Sequence, residues 1–305
     1  MSRYVVSLGG NALGNNAEEQ KALLVGVAKS IVHLIELGHE VIIVHGNGPQ
    51  VGMINLAFTE STSAPDMPFP ECGAMSQGYI GFHIQNAIYN ALKDAGLKRN
   101  VATVVSQVLV DKDDPMFKSP SKPVGAFYSE AEAKKIAAEK GYTMKEDAGR
   151  GWRRVVASPL PIDVIEKESI STLVKKGDIV ICAGGGGIPV IEKNGKLEGI
   201  AAVIDKDYAS AKVAALVDAD YLVILTAVDN VYINYRKPDE KKLEKVSKAE
   251  MEEYLKTDYF AKGSMYPKVN ACVKFLNEKP GKTAIISSLE KANLAVELKA
   301  GTIIK

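Results

Sequence analysis

The sequence predicts an α/β protein whose largely parallel central sheet is covered by helices on both faces. Apolar runs rich in β-branched residues alternate along the chain with amphipathic stretches of helical period. The runs are continuously apolar, which is typical of strands buried on both faces. Glycine clusters follow three of these runs, at the strand ends where open α/β sheets bind ligands.

The first 46 residues predict one βαβ unit. "YVVSL" (4–8) is an apolar run, and an amphipathic stretch from Glu18 to Leu37 follows it. Gly38 is placed to end that helix before the next apolar run, "EVIIVHG" (40–46).

The alternation continues to the C-terminus. Further strands are expected at 101–110, 178–183, 220–226 and 282–287, with helices at 73–92, 163–176 and 205–217. "VIEKNGKLEGI" (190–200) predicts a hairpin, because Asn194 and Gly195 supply the two positive-φ residues of a type I′ turn.

The segment from Lys118 to Pro161 does not continue this alternation of strands and helices. It contains several prolines, little apolar periodicity and the charged stretch "KEDAGRGWRRVV". A structureless loop of this length is improbable inside a compact domain, so an inserted subdomain or lid with its own structure is expected.

Composition favours a globular protein that acts on small molecules. The chain has 305 residues, 46% hydrophobic and 25% charged, and a formal net charge of +1, so neither nucleic acid nor a membrane surface is an expected partner. No apolar run reaches the length of a membrane span, and no signal-peptide pattern precedes the first strand. Three widely spaced cysteines argue against a disulfide framework or structural zinc and favour a reducing cytoplasm.

The three glycine clusters are candidate anion sites. In "GGNALG" (9–14), Gly9 or Gly10 serves either a positive-φ turn or a bare backbone that a ligand approaches. "VHGNGPQVG" (44–52) suggests a glycine-rich loop opening a helix, but its spacing does not fit a dinucleotide fingerprint. "CAGGGGIPV" (182–190) also follows a strand. Each cluster can present backbone N–H groups to phosphate or carboxylate oxygens.

Charged residues beside the predicted helix starts complete the pattern. Asp205, Lys206 and Asp207 begin the helix expected at 205–217, and Lys268 follows a proline at another helix start. Each alone is compatible with a capped helix or a solvated surface lysine. The four histidines show no metal-ligand spacing, and none is a convincing general base.

Ten segments, in order and over nearly the whole chain, closely resemble carbamate kinases of the amino-acid-kinase fold group. They are "SLGGNAL", "HGNGPQVG", "ECGAMSQGYIGFHIQNA", "QVLVDKDDP", "KPVGAFY", "GYTMKEDAGRGWRRVV", "AGGGGIPV", "VIDKDYAS", "LTAVDNVYINY" and "GSMYPKV". The resemblance implies a three-layer αβα sandwich around a mainly parallel eight-stranded sheet, with a small protruding subdomain near 118–161. It also implies one domain, whose N-lobe (about 1–215) holds the phosphoryl acceptor and whose C-lobe (about 216–305) holds the nucleotide.

The reaction implied is reversible phosphoryl transfer between MgATP and carbamate, giving ADP and carbamoyl phosphate. The attacking carbamate oxygen is already anionic, so no side chain has to remove a proton and catalysis reduces to positioning and charge stabilisation. The resemblance further implies a cytoplasmic homodimer, Mg²⁺ carried by the nucleotide, and ATP synthesis in arginine catabolism through the arginine deiminase pathway.

The motif match also implies roles for individual residues. Gly9, Gly10 and Asn11 would contact the transferring phosphoryl group, and Gly46, Asn47 and Gly48 would face carbamate, together with Gly184 and Gly185. Lys206 and Lys268 would neutralise the phosphates, Asp207 would hold their ammonium groups, and Lys122 would reach in from the subdomain. The adenine and ribose pocket would comprise Ala227, Val228, Tyr232, Met265 and Pro267, next to Lys268.

Two other functions remain open at this point. A different acyl-phosphate-forming kinase of the same fold would be expected to lack "KPVGAFY" and "DAGRGWRRVV", and a non-catalytic nucleotide-binding regulator would be expected to lose one of Lys206, Asp207 and Lys268. Many wider relatives also carry a lysine just before the first glycine pair, where this chain has Ser7 and Leu8. That difference favours carbamate kinases over acetylglutamate, aspartate or uridylate kinases.

Overall fold

The computed structural model describes residues 1–14, 16–147 and 149–305, with the backbone but not the side chain of residue 11. Its strands are β1 (Arg3–Leu8), β2 (Glu40–His45), β3 (Val101–Thr103), β4 (Gln107–Val110), β5 (Lys122–Tyr128), β6 (Met144–Glu146), β7 (Trp152–Val156), β8 (Pro161–Val164), β9 (Ile179–Ile181), β10 (Ile188–Lys193), β11 (Lys196–Gly199), β12 (Tyr221–Thr226), β13 (Val231–Ile233), β14 (Lys241–Leu243), β15 (Lys245–Val246), β16 (Thr283–Ser288) and β17 (Thr302–Ile304). Its α-helices are α1 (Ala17–Glu36), α2 (Gly48–Thr59), α3 (Phe69–Asp94), α4 (Glu130–Lys140), α5 (Lys167–Lys175), α6 (Lys206–Leu216), α7 (Lys248–Leu255), α8 (Met265–Glu278) and α9 (Ala292–Val296).

An eight-stranded sheet forms the centre of the molecule, with strand order β15-β17-β16-β12-β1-β2-β9-β3. Every neighbouring pair is parallel except β16 and β17. Side chains of each strand alternate between two apolar clusters: Val5 and Ile42 pack with residues of α6 and α8, whereas Val6 and Ile43 pack with residues of α1 and α3. The three-layer α/β architecture expected from the sequence is therefore confirmed.

The expectation of one strand over 101–110 is wrong. The run forms β3 in the central sheet and β4 in a separate four-stranded sheet, of order β11-β10-β4-β8. The chain leaves the central sheet near Ser106, where the Gln77 side chain accepts from the Ser106 N–H at 2.8 Å and donates to the Ser106 carbonyl at 3.1 Å. That carbonyl also accepts the Ile188 N–H of β10 at 2.9 Å, so the backbone here already pairs with the second sheet.

Other boundaries differ less. The helix expected from 163 begins at Lys167, since residues 161–164 form β8 and pair with β4. The hairpin is confirmed as β10 and β11, with φ of 54° at Asn194 and 72° at Gly195. Gly38 follows α1 with φ of 80°, as its role in ending that helix requires.

The segment expected to be an insertion contains β5, α4, β6 and β7, and its strands form a three-stranded antiparallel sheet of order β5-β7-β6. Val124 and Val156 of this sheet pack on Val51 of α2 and on Phe69 and Cys72 of α3. A small apolar cluster, separate from the two main ones, thus packs the insertion against the main body. Among the described residues, no helix is both long and apolar enough to cross a membrane.

Candidate active site

Three glycine loops lie at the same end of the central sheet, where its parallel strands finish. They follow β1, β2 and β9, which are consecutive neighbours in the sheet and run parallel. The loop after β12 joins them, because β12 pairs with the other side of β1. Parallel strands bring all four carboxyl ends together at one edge, where open α/β sheets bind ligands.

The first loop, residues 9–14, does not use its leading glycines for a left-handed turn. Gly9 has φ of −77°, and Gly10 is not among the positive-φ glycines; Gly14, at 59°, supplies that conformation. Of the two alternatives for Gly9 and Gly10, the positive-φ turn is therefore excluded. Gly9 is buried, whereas Gly10 is exposed and a Cβ added there would meet no atom within 4 Å. No protein atom covers the backbone of Gly10 on this side, so a ligand can approach it. The backbone of Asn11 continues the same 3₁₀ turn, and its side chain lies outside the described part of the structure.

The second loop, residues 46–48, is held by buried polar side chains. The His45 imidazole is 1% exposed, and its Nδ1–H donates to the Gly46 carbonyl at 2.8 Å. Burial lowers the pKa of His45 to about 4, so the ring is neutral near pH 7. Asn47 donates from Nδ2 to Ser76 Oγ on α3 at 2.8 Å, and the exposed Gly48 begins α2.

The third loop, residues 183–187, packs beneath the second. A Cβ at Gly184 would lie 2.3 Å from His45 Nε2, and one at Gly185 would lie 2.1 Å from Asn47 Nδ2. Gly185 also has φ of 68°. Glycine is needed at both positions because the imidazole and the amide occupy the space of any larger side chain. Gly184 and Gly185 are buried, and through these contacts they support the loop that carries Gly46 to Gly48.

Two lysines from different helices meet at one carboxylate. Asp207, in the first turn of α6, is 2% exposed; its Oδ1 lies 2.5 Å from Lys206 Nζ and its Oδ2 lies 2.9 Å from Lys268 Nζ of α8. Ser7 of β1, fully buried, accepts from Lys206 Nζ at 2.9 Å and donates to Asp207 Oδ1 at 3.3 Å. Gly46 lies against the Lys206 stem, since a Cβ there would be 3.3 Å from its Cδ. The lysine pair therefore adjoins the second glycine loop.

The charged groups of this cluster shift one another's pKa values. Burial alone would raise the pKa of the Asp207 carboxyl, but the adjacent ammonium groups of Lys206 and Lys268 outweigh it and lower that pKa to about 2. Burial lowers the pKa of the Lys206 ammonium, which Asp207 only partly offsets. Two ammonium groups and one carboxylate leave an excess positive charge, which suits an anionic ligand.

The insertion also contributes a lysine at this edge. Lys122, the first residue of β5, places its Nζ 3.1 Å from Oδ2 of Asp205, which precedes α6. The structure thus brings Lys122, Lys206 and Lys268 to the same helix start through two aspartates.

The residues expected around the nucleotide lie on three elements. Ala227 and Val228 follow the carboxyl end of β12, and Tyr232 lies in β13. Met265 begins α8, and Pro267 is buried in its first turn directly before Lys268. Lys268 connects this group to Asp207 and hence to the glycine loops.

Sequence reasoning missed three side chains that organise the site. Ser7 stands where other kinases have a lysine, and its one local signal is that it is a polar residue inside the apolar run "YVVSL". Asp205 has only the local signal of a helix-start acid, and no local pattern marks Ser76. Their roles depend on partners 29 to 199 residues away, which spacing does not reveal. Within the described residues, no group of three or more His, Cys, Asp or Glu side chains is arranged to hold a metal ion.

A bare backbone turn and convergent ammonium groups, at the ligand-binding end of an α/β sheet, suit the binding of phosphate, and the chain's relatives place it in the class of phosphotransferases. Residues 2–287 match the model of the amino acid kinase family, and the chain belongs to that family.

Several relatives of similar length are carbamate kinases. The chain is 51% identical to the carbamate kinase of Staphylococcus haemolyticus over 100% of both sequences, and 52% identical to that of Clostridium perfringens over 98% of both. Among solved structures, the carbamate kinase of Giardia lamblia bound to AMP-PNP superposes with a TM-score of 0.94 at 43% identity, covering 99% of this chain and 98% of that one.

Proposed function

We propose that this protein catalyses reversible phosphoryl transfer between ATP and carbamate, giving ADP and carbamoyl phosphate. The observation that carries the proposal is the Asp207 carboxylate between the ammonium groups of Lys206 and Lys268, next to the glycine loop at Gly46. The relatives at 51 and 52% identity that bear the name carbamate kinase support the choice of acceptor.

In this reaction the protein's task is positioning and charge stabilisation. Lys206 and Lys268 neutralise the transferring and nucleotide phosphates, with Asp207 fixing the direction of both ammonium groups. Gly9, Gly10 and Asn11 offer backbone to the transferring phosphoryl group, and Gly46, Asn47 and Gly48 face carbamate. The neutral His45 supports the loop rather than acting as a base, because its imidazole is buried with Nε2 against Gly184 and burial lowers its pKa to about 4.

The nucleotide lies on the side of α8. Ala227, Val228, Tyr232, Met265 and Pro267 form the adenine and ribose pocket, and Mg²⁺ arrives with the nucleotide. The single domain accordingly divides into an N-lobe of about 1–215 for the acceptor and a C-lobe of about 216–305 for the nucleotide. The insertion of about 118–161 brings Lys122 to the acceptor.

The working form is a homodimer that makes ATP in the cytoplasm, in the arginine deiminase pathway of arginine catabolism. Support for the dimer comes from the outer surface of α3, where Phe82 and Tyr89 are each 59% exposed. Val105, which follows the edge strand β3, is 49% exposed and lines the same surface pocket as Phe82 and Tyr89. Apolar side chains next to an unpaired strand edge favour association with a second copy. Phe82→Glu is expected to shift the sedimenting species from dimer to monomer, and a monomeric wild-type protein would contradict the proposal.

A coupled assay of ATP formation from ADP and carbamoyl phosphate tests the reaction. Rapid, Mg²⁺-dependent ATP formation is expected with carbamoyl phosphate, and little with acetyl phosphate, which lacks the amino group. Equal or faster turnover of acetyl phosphate would indicate a different acyl-phosphate kinase. Nucleotide binding without turnover of either would indicate a non-catalytic regulator.

A further inference from the structure

The carboxylate of Asp205 makes two contacts that belong to different parts of the molecule. Its Oδ1 accepts the backbone N–H of Asp207 at 3.0 Å and so caps the N-terminus of α6. Its Oδ2 accepts from Lys122 Nζ at 3.1 Å. One side chain therefore joins the insertion to the turn that bears the Lys206 and Asp207 pair.

Of the two partners, Asp205 is the fixed one. The backbone just before it is tied to the base of the insertion, where Val203 N–H donates to the Ala157 carbonyl at 3.0 Å. The next residue, Ile204, packs on the third glycine loop: a Cβ at Gly186 would lie 2.1 Å from its carbonyl oxygen. Asp205 is 16% exposed in its side chain and Lys122 is 41% exposed. The lysine is thus the more exposed partner, and its ammonium meets a carboxylate that the main body holds in place.

We propose that Asp205 is a positioning residue that holds the Lys122 ammonium at the acceptor side of the site. The inference rests on the proposed function, because it requires that Lys122 bind the anionic acceptor or its acyl phosphate. An ammonium group has three N–H donors, so the contact with Asp205 leaves two for an oxyanion. Without the carboxylate, Lys122 would sample many rotamers and would have to be ordered by the substrate itself.

The test separates the two contacts of Asp205. Asp205→Asn keeps an oxygen to cap α6, because asparagine is an equally good N-cap residue, but it removes the charge that holds Lys122. Asp205→Asn is expected to lower kcat/KM for carbamoyl phosphate about tenfold, mainly through KM, while the KM for ADP changes less than about twofold. Lys122→Met should produce at least as large a loss, and adding Asp205→Asn to Lys122→Met should cause no further loss.

Asp220 is a matched control. It directly precedes β12, so it lies at the end of the sheet opposite the glycine loops. Asp220 divides its carboxylate in the same way, accepting the Arg3 backbone N–H at 2.8 Å and Lys282 Nζ at 2.8 Å. Asp220→Asn should leave both KM values unchanged. An Asp205→Asn protein with wild-type KM for carbamoyl phosphate, or additive losses in the double variant, would overturn the positioning role. If wild-type protein does not form ATP from carbamoyl phosphate, the proposed function fails instead, so the two failures are distinct.

Discussion

The Asp207 carboxylate lies 2.9 Å from the Lys268 ammonium, and this contact joins the first turn of α6 to the first turn of α8. The other oxygen of Asp207 holds Lys206, its neighbour in sequence. One buried acid thus sets the separation of two cations that reach the sheet edge from different helices. The carboxylate offsets part of the cost of burying the Lys206 ammonium, although burial still lowers the pKa of that lysine.

Lys206→Ala is expected to remove most activity while the protein still folds. Loss of one positioned charge at a transferring phosphoryl group typically lowers kcat by about 10²- to 10³-fold. Steady-state kinetics with the melting temperature checks this. The matched control is Lys212→Ala on the same helix, since Lys212 pairs with Glu278 at 2.7 Å and is similarly buried. Near-normal turnover in a folded Lys206→Ala protein would refute the assigned role.

Gly10→Val should abolish turnover without unfolding the protein. Gly10 has no positive φ and a Cβ there meets no protein atom within 4 Å, so the valine enters the open space assigned to the phosphoryl group. ADP affinity should persist, because the nucleotide pocket is assigned to other elements.

Gly14→Val in the same loop is the contrasting variant. Gly14 has φ of 59°, and a Cβ there would lie 2.7 Å from Glu19 Cβ, so this change should lower stability. Calorimetry, ADP titration and turnover on both variants separate the two effects. A Gly10→Val protein that loses stability and turnover in proportion would show that Gly10 is only structural.

His45 should make the protein less stable in mild acid. Its pKa is about 4 in the folded state, below the unfolded value of about 6.5, so the unfolded chain binds a proton first as the pH falls. The contribution is complete above pH 6.5 and falls by about 3 kcal/mol by pH 4.

Chemical denaturation of wild type and His45→Asn between pH 7.5 and pH 4 isolates this contribution. Asparagine has an amide donor for the Gly46 carbonyl but does not titrate, so the free energy of unfolding of the variant should depend less on pH. Parallel pH profiles for the two proteins would contradict the assignment.

Gly52→Val should disturb the packing of the insertion against α2. A Cβ at Gly52 would lie 3.3 Å from the backbone nitrogen of Gly125 in β5, and the larger side chain would press this strand outward. We expect about 1–3 kcal/mol of destabilisation and a raised KM for carbamoyl phosphate, since β5 begins at Lys122. Gly26→Val on α1, where a Cβ meets nothing within 4 Å, is the control. Equal KM values in both variants would show that the insertion does not serve the acceptor site.

The class of fold and the location of the three glycine loops follow from local sequence pattern. Buried strands such as β1 and β2 are continuously apolar, and strand, loop and helix signals are local, so they can be read over a few residues. The N-cap of α6 at Asp205 is likewise predictable from the local sequence, because its side chain contacts a backbone N–H only two residues away.

Tertiary structure alone decided which polar groups meet. Ser7 reaches Lys206 across 199 residues, and Lys122 reaches Asp205 across 83, because the strand order places distant segments at one sheet edge. The same holds for the break between β3 and β4: the apolar run reads as one strand, but the backbone of Ser106 bonds to the Gln77 side chain and to Ile188 of β10. The local pattern of apolar residues predicts which residues are buried. Which polar side chains contact each other depends on the order of the strands in the sheet, and a short stretch of sequence does not reveal that order.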